Sequence, residues 1–155
     1  MDDRELISAA IEIGVQSASG EGGPFGALVA RGGEIVGRGS NRVVAERDPT
    51  LHAEVVAIRD ACRELGTHDL TGCVLYASCE PCPMCFGAAW WARVDRIVHA
   101  ASRADAAAAG FDDAAIYADV ALPAGARTLA TVQLLPEEGW RPFTAWSANP
   151  GRVPY

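Results

Sequence analysis

The two most informative stretches of this chain are Leu51-His52-Ala53-Glu54 and Cys79-Glu80-Pro81-Cys82-Pro83-Met84-Cys85. Cys82 and Cys85 are three residues apart, so in the first turn of a helix both sulfurs lie on one face. One imidazole added to two thiolates makes the three protein ligands of a catalytic zinc and leaves the fourth position for water. We therefore expect His52, Cys82 and Cys85 to bind Zn²⁺.

Glu54 lies only two residues from His52, and residues at that spacing do not share a helix face. The metal should therefore sit over the end of this helix, where side chains of the first turn converge. Both ligand stretches would present helix N-termini to the metal, and their partial positive charge favours thiolate. Because zinc lowers the pKa of a bound water to roughly 7, a nucleophile is available at neutral pH. Glu54, which is not a ligand, is expected to move the protons as the catalytic residue.

The pair H-x-E and P-C-x-x-C resembles the signature of zinc-dependent nucleobase deaminases. Two alternatives stay open for the residues themselves. A lone C-x-x-C also fits a redox pair or half of a structural zinc site, and Cys79 is the candidate for a fourth structural ligand. We favour a non-ligand Cys79, because Glu54 would otherwise have no task.

Apolar periodicity and turn residues predict alternating helices and strands along the chain. The predicted helices cover residues 3–19, 51–65, 81–92, 104–109 and 114–120. The predicted strands cover residues 26–30, 34–39, 73–77, 96–100 and 128–135. Helices alternating with strands argue for an α/β fold, a three-layer α-β-α sandwich, in a single domain over residues 1–155.

The net charge and composition of the chain limit the kinds of partner that it can bind. The chain of 155 residues has a net charge of −7, from 20 acidic and 13 basic residues, and its arginines are scattered along the sequence. A long polyanion would be repelled, so we expect a small-molecule substrate and no nucleic acid. With no apolar run of roughly 18 residues and a charged start, we expect no membrane partner and a cytoplasmic location. Five cysteines in such a chain favour metal or thiol chemistry over a disulfide framework.

Further motifs narrow the resemblance to the bacterial guanine deaminases of the cytidine deaminase-like superfamily. The matching segments are residues 22–27, 48–50, 78–85, 91–93, 109–113, 142–146 and the terminal Tyr155. The resemblance implies a cytidine deaminase-like fold with a mixed five-stranded sheet. It also implies a zinc-dependent hydrolase that converts guanine to xanthine and ammonia, in purine metabolism, as a homodimer.

The resemblance also assigns substrate-binding residues. It implies that Asn41 hydrogen-bonds the base, that the backbone at Ala53 contacts it, and that Phe25 and Trp91 shape a stacking pocket. Asp113 matches an acidic position that touches the amino end of the substrate. For Asp113 the alternative is a helix cap after Phe111, and for Trp91 it is a core aromatic without substrate contact.

The resemblance also has an implication for the C-terminal tail, from about residue 137 to 155. It implies that this tail is swapped between subunits, so that Tyr155 covers the partner's active site. Pro150 and Pro154 disfavour helix at the end of the tail. Pro154 departs from the charged residue expected there, and the alternative for Tyr155 is a frayed terminus.

Other functions remain open at this point. The same motifs fit a deaminase of another small heterocycle, such as cytosine, a purine nucleoside or an aminotriazine, because pocket shape decides the substrate. They also fit a tRNA adenosine deaminase, which the net charge disfavours, or a non-catalytic zinc-binding module completed by Cys79.

Overall fold

The structure is a computed structural model that describes residues 1–111 and 113–155. The chain forms two compact units, residues 1–114 and residues 115–155, which are described separately. The predicted single domain over the whole chain stays a prediction. Asp112, part of the turn expected between two helices, lies outside the described residues. Within the described part, every helix is too short or too polar to cross a membrane.

Seven α-helices are present among the described residues. They are α1 (Asp3–Ala18), α2 (Val43–Glu46), α3 (Ala53–Leu65), α4 (Pro83–Trp91), α5 (Arg103–Ala108), α6 (Ala114–Val120) and α7 (Arg141–Ala148). The start of α1 is fixed by a capping box, in which Asp2 accepts from the Glu5 amide and Glu5 accepts from the Asp2 amide. The five predicted helices are confirmed, whereas α2 and α7 were not predicted.

One mixed sheet runs through the first unit. Its strands are β1 (Gly26–Arg31), β2 (Glu34–Ser40), β3 (Cys73–Cys79) and β4 (Arg96–Ala101), in the order β2-β1-β3-β4. β1 pairs antiparallel with both β2 and β3, whereas β3 and β4 are parallel. The parallel pair requires a crossover, and α4 supplies it.

The predicted fifth strand, residues 128–135, is wrong: the described sheet has four strands. The prediction relied on apolar and β-branched content, but a strand also needs a partner edge, and this segment joins no ladder. Leu129, Val132 and Leu134 are exposed, and Leu135 has φ 54°, a left-handed conformation that ends an extended run.

Helices cover both faces of the sheet, which confirms the three-layer sandwich for the first unit. On one face α1 buries Leu6 and Ala10 against Leu28, Ala30 and Tyr76. On the other face the core combines the inward residues of β1 and β3 with those of α3 and α4.

Two glycines let α3 approach the sheet closely. A Cβ at Gly39 would lie 2.1 Å from the Ala53 carbonyl oxygen, and one at Gly37 would lie 2.5 Å from that of Ala57. Both distances are far below van der Waals contact, so α3 can pack this closely on β2 only with glycine at these positions. This packing fixes the first turn of α3, which carries the site.

In the second unit, α7 brings Trp140 and Phe143 together, with ring centroids 5.3 Å apart. The Arg152 guanidinium stacks over the Trp146 ring at 5.4 Å. Residues 149–155 form no helix, as expected for a segment with two prolines.

Candidate active site

Two helix N-termini of the first unit meet at the predicted metal site. His52 is the N-cap residue of α3, and Cys82 is the N-cap residue of α4 with Pro83 in the first turn. Proline suits that position because its fixed φ matches the helix and its missing N–H needs no partner. Cys85 follows in the first turn of α4 and is completely buried. Caps and turns that start the two helices thus point three donor side chains at one place.

The geometry of the three donors fits a zinc ion. His52 Nδ1 lies 3.6 Å from Cys82 Sγ and 3.5 Å from Cys85 Sγ, and the three ligand atoms lie within 4.8 Å of one another. In an ideal tetrahedral centre with Zn–S of about 2.3 Å and Zn–N of about 2.0–2.1 Å, nitrogen and sulfur ligands are about 3.5–3.6 Å apart. The side chains are therefore preorganised for zinc.

Protonation of the two thiols is coupled. The hydrogen bond from the Cys85 thiol lowers the pKa of Cys82 to about 4 against the opposing effect of burial, and His52 lowers it further. The same hydrogen bond, with burial, raises the pKa of Cys85. The hydrogen bond to Cys82 raises the pKa of His52. A metal that takes both sulfurs must therefore displace the Cys85 proton.

Glu54 is the buried acid beside these donors. Its side chain is only 8% exposed, on the first turn of α3, and burial raises the pKa of its carboxyl. A hydrogen bond with the Cys85 thiol opposes this effect and lowers the pKa of the Glu54 carboxyl. A carboxyl group whose pKa is raised by burial, beside a metal site, is suited to accept and return a proton.

Cys79 does not join the donor cluster. Its Sγ donates to the Ser102 carbonyl oxygen at 3.6 Å, and burial raises the pKa of its thiol. Among the described residues, the metal-ligating group contains His52, Cys82 and Cys85 without Cys79. The geometry thus supports three protein ligands and an open fourth position, the arrangement of catalytic sites.

A cavity of about 370 Å³ opens above the donors. Its lining residues are Gly23, Phe25, Asn41, Val43, Val44, His52, Glu54, Cys79, Glu80, Cys82, Ala106, Phe111 and Asp113. This volume is near the lower end of the roughly 300–1,000 Å³ of small-molecule sites. Phe111 meets Phe25 edge to face, with centroids 4.9 Å apart at 85°. The cavity combines an aromatic wall with few polar groups, which suits a small planar ring.

Three of the predicted substrate-binding residues line this cavity: Phe25, Asn41 and Asp113. Asn41 Oδ1 accepts weakly from the Val43 amide at 3.3 Å. Asp113 Oδ1 is buried without a hydrogen-bond partner in the described part of the chain, and burial raises the pKa of this carboxyl. A buried acceptor without a partner is costly, so a ligand donor would satisfy it.

The other three predicted residues are not among the lining residues of this cavity. The Ala53 side chain is buried in the core, while its backbone lies in the first turn of α3. Trp91 ends α4 and is 65% exposed, which does not fit the alternative of a core aromatic, and it is not among the cavity-lining residues. Tyr155 belongs to the second unit. Substrate contacts of these three residues stay predictions.

Several lining residues were missed by sequence reasoning, chiefly Val43 and Val44 of α2 together with Ala106 and Phe111. Phe111 lies in the matching segment 109–113, but the resemblance assigned a substrate contact only to Asp113 there. Small and apolar residues carry no chemical pattern that marks them as site residues, and only the fold brings them to the cavity.

Four arginines that are scattered in the sequence come together on the surface of the first unit. Arg38, Arg42, Arg59 and Arg63 line a groove of about 270 Å³ with Glu46 and Asp60. Arg42 pairs with Glu46, and Asp60 accepts from the Arg38 backbone amide at 2.9 Å. No aromatic side chain lines this described groove, so it lacks the stacking surfaces typical of single-stranded nucleic-acid sites.

Comparisons with known proteins agree with this geometry. The family of the cytidine and deoxycytidylate deaminase zinc-binding region matches residues 1–101. Guanine deaminase from Bacillus subtilis (strain 168) is 46% identical over 147 residues, which are 94% of this chain and 94% of that protein. The X-ray structure of guanine deaminase from Bacillus subtilis superposes with a TM-score of 0.96 at 44% identity, covering 100% of this chain and 99% of that one.

A second group of relatives matches only part of the chain. The tRNA-specific adenosine deaminase of Aquifex aeolicus (strain VF5) is 44% identical over 78 residues, 50% of this chain and 52% of its own. The similarity to guanine deaminase, in contrast, extends through both compact units. The chain therefore belongs to the guanine deaminases within the cytidine and deoxycytidylate deaminase zinc-binding family.

Proposed function

We propose that this protein hydrolyses guanine to xanthine and ammonia. The observation that carries the proposal is the convergence of three zinc donors and the buried Glu54 at the base of a cavity sized for one purine. His52, Cys82 and Cys85 would hold the metal, since their spacing fits its bond lengths. Zinc, when bound, supplies Lewis-acid chemistry that makes water nucleophilic at neutral pH.

Glu54 would transfer the protons in this reaction. Water adds to the ring carbon that bears the amino group, the carbon–nitrogen bond then breaks, and the amino group leaves as ammonia. The Glu54 carboxylate takes a proton from the water, gives one to the ring nitrogen and transfers the proton that the leaving amine needs. Burial of Glu54 suits this exchange because a raised carboxyl pKa lies nearer the operating pH.

Residues of the cavity wall would orient the substrate. Phe25 offers an aromatic face to the ring, and the Asn41 amide can both donate to and accept from it. The unpartnered Asp113 Oδ1 would accept from an N–H group of the base. We also assign substrate contacts to the Ala53 backbone, Trp91 and Tyr155, on the resemblance alone.

Guanine is favoured over other bases because the guanine deaminase relative is matched over nearly its full length, whereas the tRNA deaminase relative is matched over half. An ammonia-release screen over guanine, cytosine, cytidine, adenosine and ammeline should rank guanine first by at least tenfold in kcat/KM. Faster release from another base would assign a different substrate to the same site. Salt-dependent retention of tRNA in filter binding, with the arginine groove as the contact, would favour the tRNA alternative.

We further propose a cytoplasmic homodimer that acts in purine metabolism. The tail of residues 137–155 would be swapped between subunits and would bring Tyr155 to the partner's cavity. The exposed Phe143 and Trp146 of α7, with Trp140 at its N-cap, support an intermolecular role because exposed apolar patches mark interaction sites.

Deleting residues 151–155 tests whether Tyr155 covers the active site. The truncated protein should keep its fold and zinc content but turn over guanine more slowly, since water enters an uncovered site. Steady-state kinetics over a full range of guanine concentrations decide the matter. Equal rates at every concentration would show that Tyr155 is only the end of the chain.

A further inference from the structure

One part of the cavity wall includes a short helix that buries none of its residues. It consists of α5, which contributes Ala106, and of the segment beyond it, which contributes Phe111 and Asp113. α5 has six residues and buries none of them. A helix this short is not stable without tertiary support, so other contacts must hold the wall in place.

Phe111 of this wall packs against Phe25, and Glu80 provides polar contacts at the start of α5. Its Oε2 accepts from the Arg103 backbone amide at 3.0 Å, and its Oε1 pairs with Arg103 Nη2 at 2.9 Å. Its own amide donates to the Ala101 carbonyl oxygen at 2.9 Å. Two bonds thus join Glu80 to the first residue of α5, and a third joins it to the last residue of β4, just before that helix.

Glu80 lies close to a metal ligand in the chain. Glu80 lies between the end of β3 and Pro81-Cys82, so it belongs to the turn that presents the metal ligand. The Cys79 thiol adds a contact to the Ser102 carbonyl oxygen. The turn that positions Cys82 is therefore also the anchor of the cavity wall.

We propose that Glu80 and Arg103 are positioning residues whose ion pair holds the wall of Ala106, Phe111 and Asp113 at the correct distance from the metal ligands. The proposal rests on the proposed function, since the wall matters only if the cavity binds substrate. The charge of Arg103 also reaches Asp113, where it opposes the rise in carboxyl pKa that burial causes. Loss of the pair would leave the metal site intact and loosen substrate binding.

Arg103→Ala tests the proposal, with Arg103→Lys as the conservative variant. Arg96→Ala is the matched control, because Arg96 forms a similar ion pair with Asp3 at 2.8 Å and does not line the cavity. Backbone hydrogen exchange of residues 103–111 should rise about three- to fivefold in Arg103→Ala, as expected for loss of a partly exposed ion pair. Arg96→Ala should leave exchange in this segment unchanged.

The kinetic readout separates positioning from general destabilisation. In Arg103→Ala the KM for guanine should rise about three- to fivefold with zinc content unchanged and kcat altered less, and Arg103→Lys should recover most of the loss. Unchanged exchange in residues 103–111 would overturn the proposal, as would faster exchange with an unchanged KM. If the wild-type protein does not act on guanine, the proposed function fails, whereas the exchange measurement still decides whether the ion pair holds the wall.

Discussion

Glu54→Gln is expected to keep its zinc and to lose roughly 10²- to 10⁴-fold in guanine turnover, the usual contribution of one proton-transfer group. The amide has nearly the shape of the carboxyl, so the packing of α3 and the ligand positions should not change. An amide cannot accept and return a proton, so the chemical step loses its shuttle. The Glu54 side chain is buried against the metal donors, where no other described carboxylate among the cavity-lining residues is as deeply enclosed.

The measurement pairs zinc content with ammonia release on the same preparation. Glu64→Gln is the matched control, since Glu64 is an exposed glutamate of the same helix. It should retain wild-type turnover. Activity of Glu54→Gln within tenfold of wild type would show that another group carries the proton.

The second large effect concerns the cysteines. Cys85→Ser should lose zinc and activity together, because a hydroxyl replaces one of three protein ligands with a much poorer one. Cys79→Ser should keep one zinc per subunit, because the Cys79 sulfur points to the Ser102 carbonyl oxygen and not to the donor cluster. Metal analysis of both purified variants beside the wild type provides the comparison.

This pair of variants decides between a catalytic and a structural zinc. A structural site with four protein ligands predicts zinc loss in both variants. Retention of zinc in Cys85→Ser, or loss in Cys79→Ser, would therefore contradict the three-ligand geometry. Thermal unfolding of each variant controls for loss of the fold, since both cysteines are buried.

The metal site could be predicted from the sequence because its signals are local. The spacing of Cys82 and Cys85, with Pro83 between them, fixes both the helix start and the direction of the two sulfurs. The elements of the first unit were predictable for the same reason, since apolar periodicity, caps and glycine turns act over a few residues. The capping box at Asp2 and the left-handed Gly66 at the end of α3 are two such local signals.

The remaining features depend on contacts between distant residues. The strand expected at residues 128–135 has suitable composition but no partner edge, and composition cannot reveal whether an edge is available. The Glu80–Arg103 pair joins residues 23 positions apart. The four arginines of the groove come from β2, from the N-cap of α2 and from α3. Phe111 and Val43 likewise reach the cavity only through the arrangement of α5 and α2 around the sheet.

Xanthine formation from guanine by metal-stripped and zinc-reloaded protein tests whether this chain is a zinc-dependent guanine deaminase. The stripped protein should be inactive, and activity should return in proportion to added zinc, reaching its plateau at one equivalent per subunit with xanthine and ammonia formed in equal amounts. Turnover by the stripped protein, or a fully reloaded protein that forms no xanthine, would contradict zinc-dependent hydrolysis of guanine.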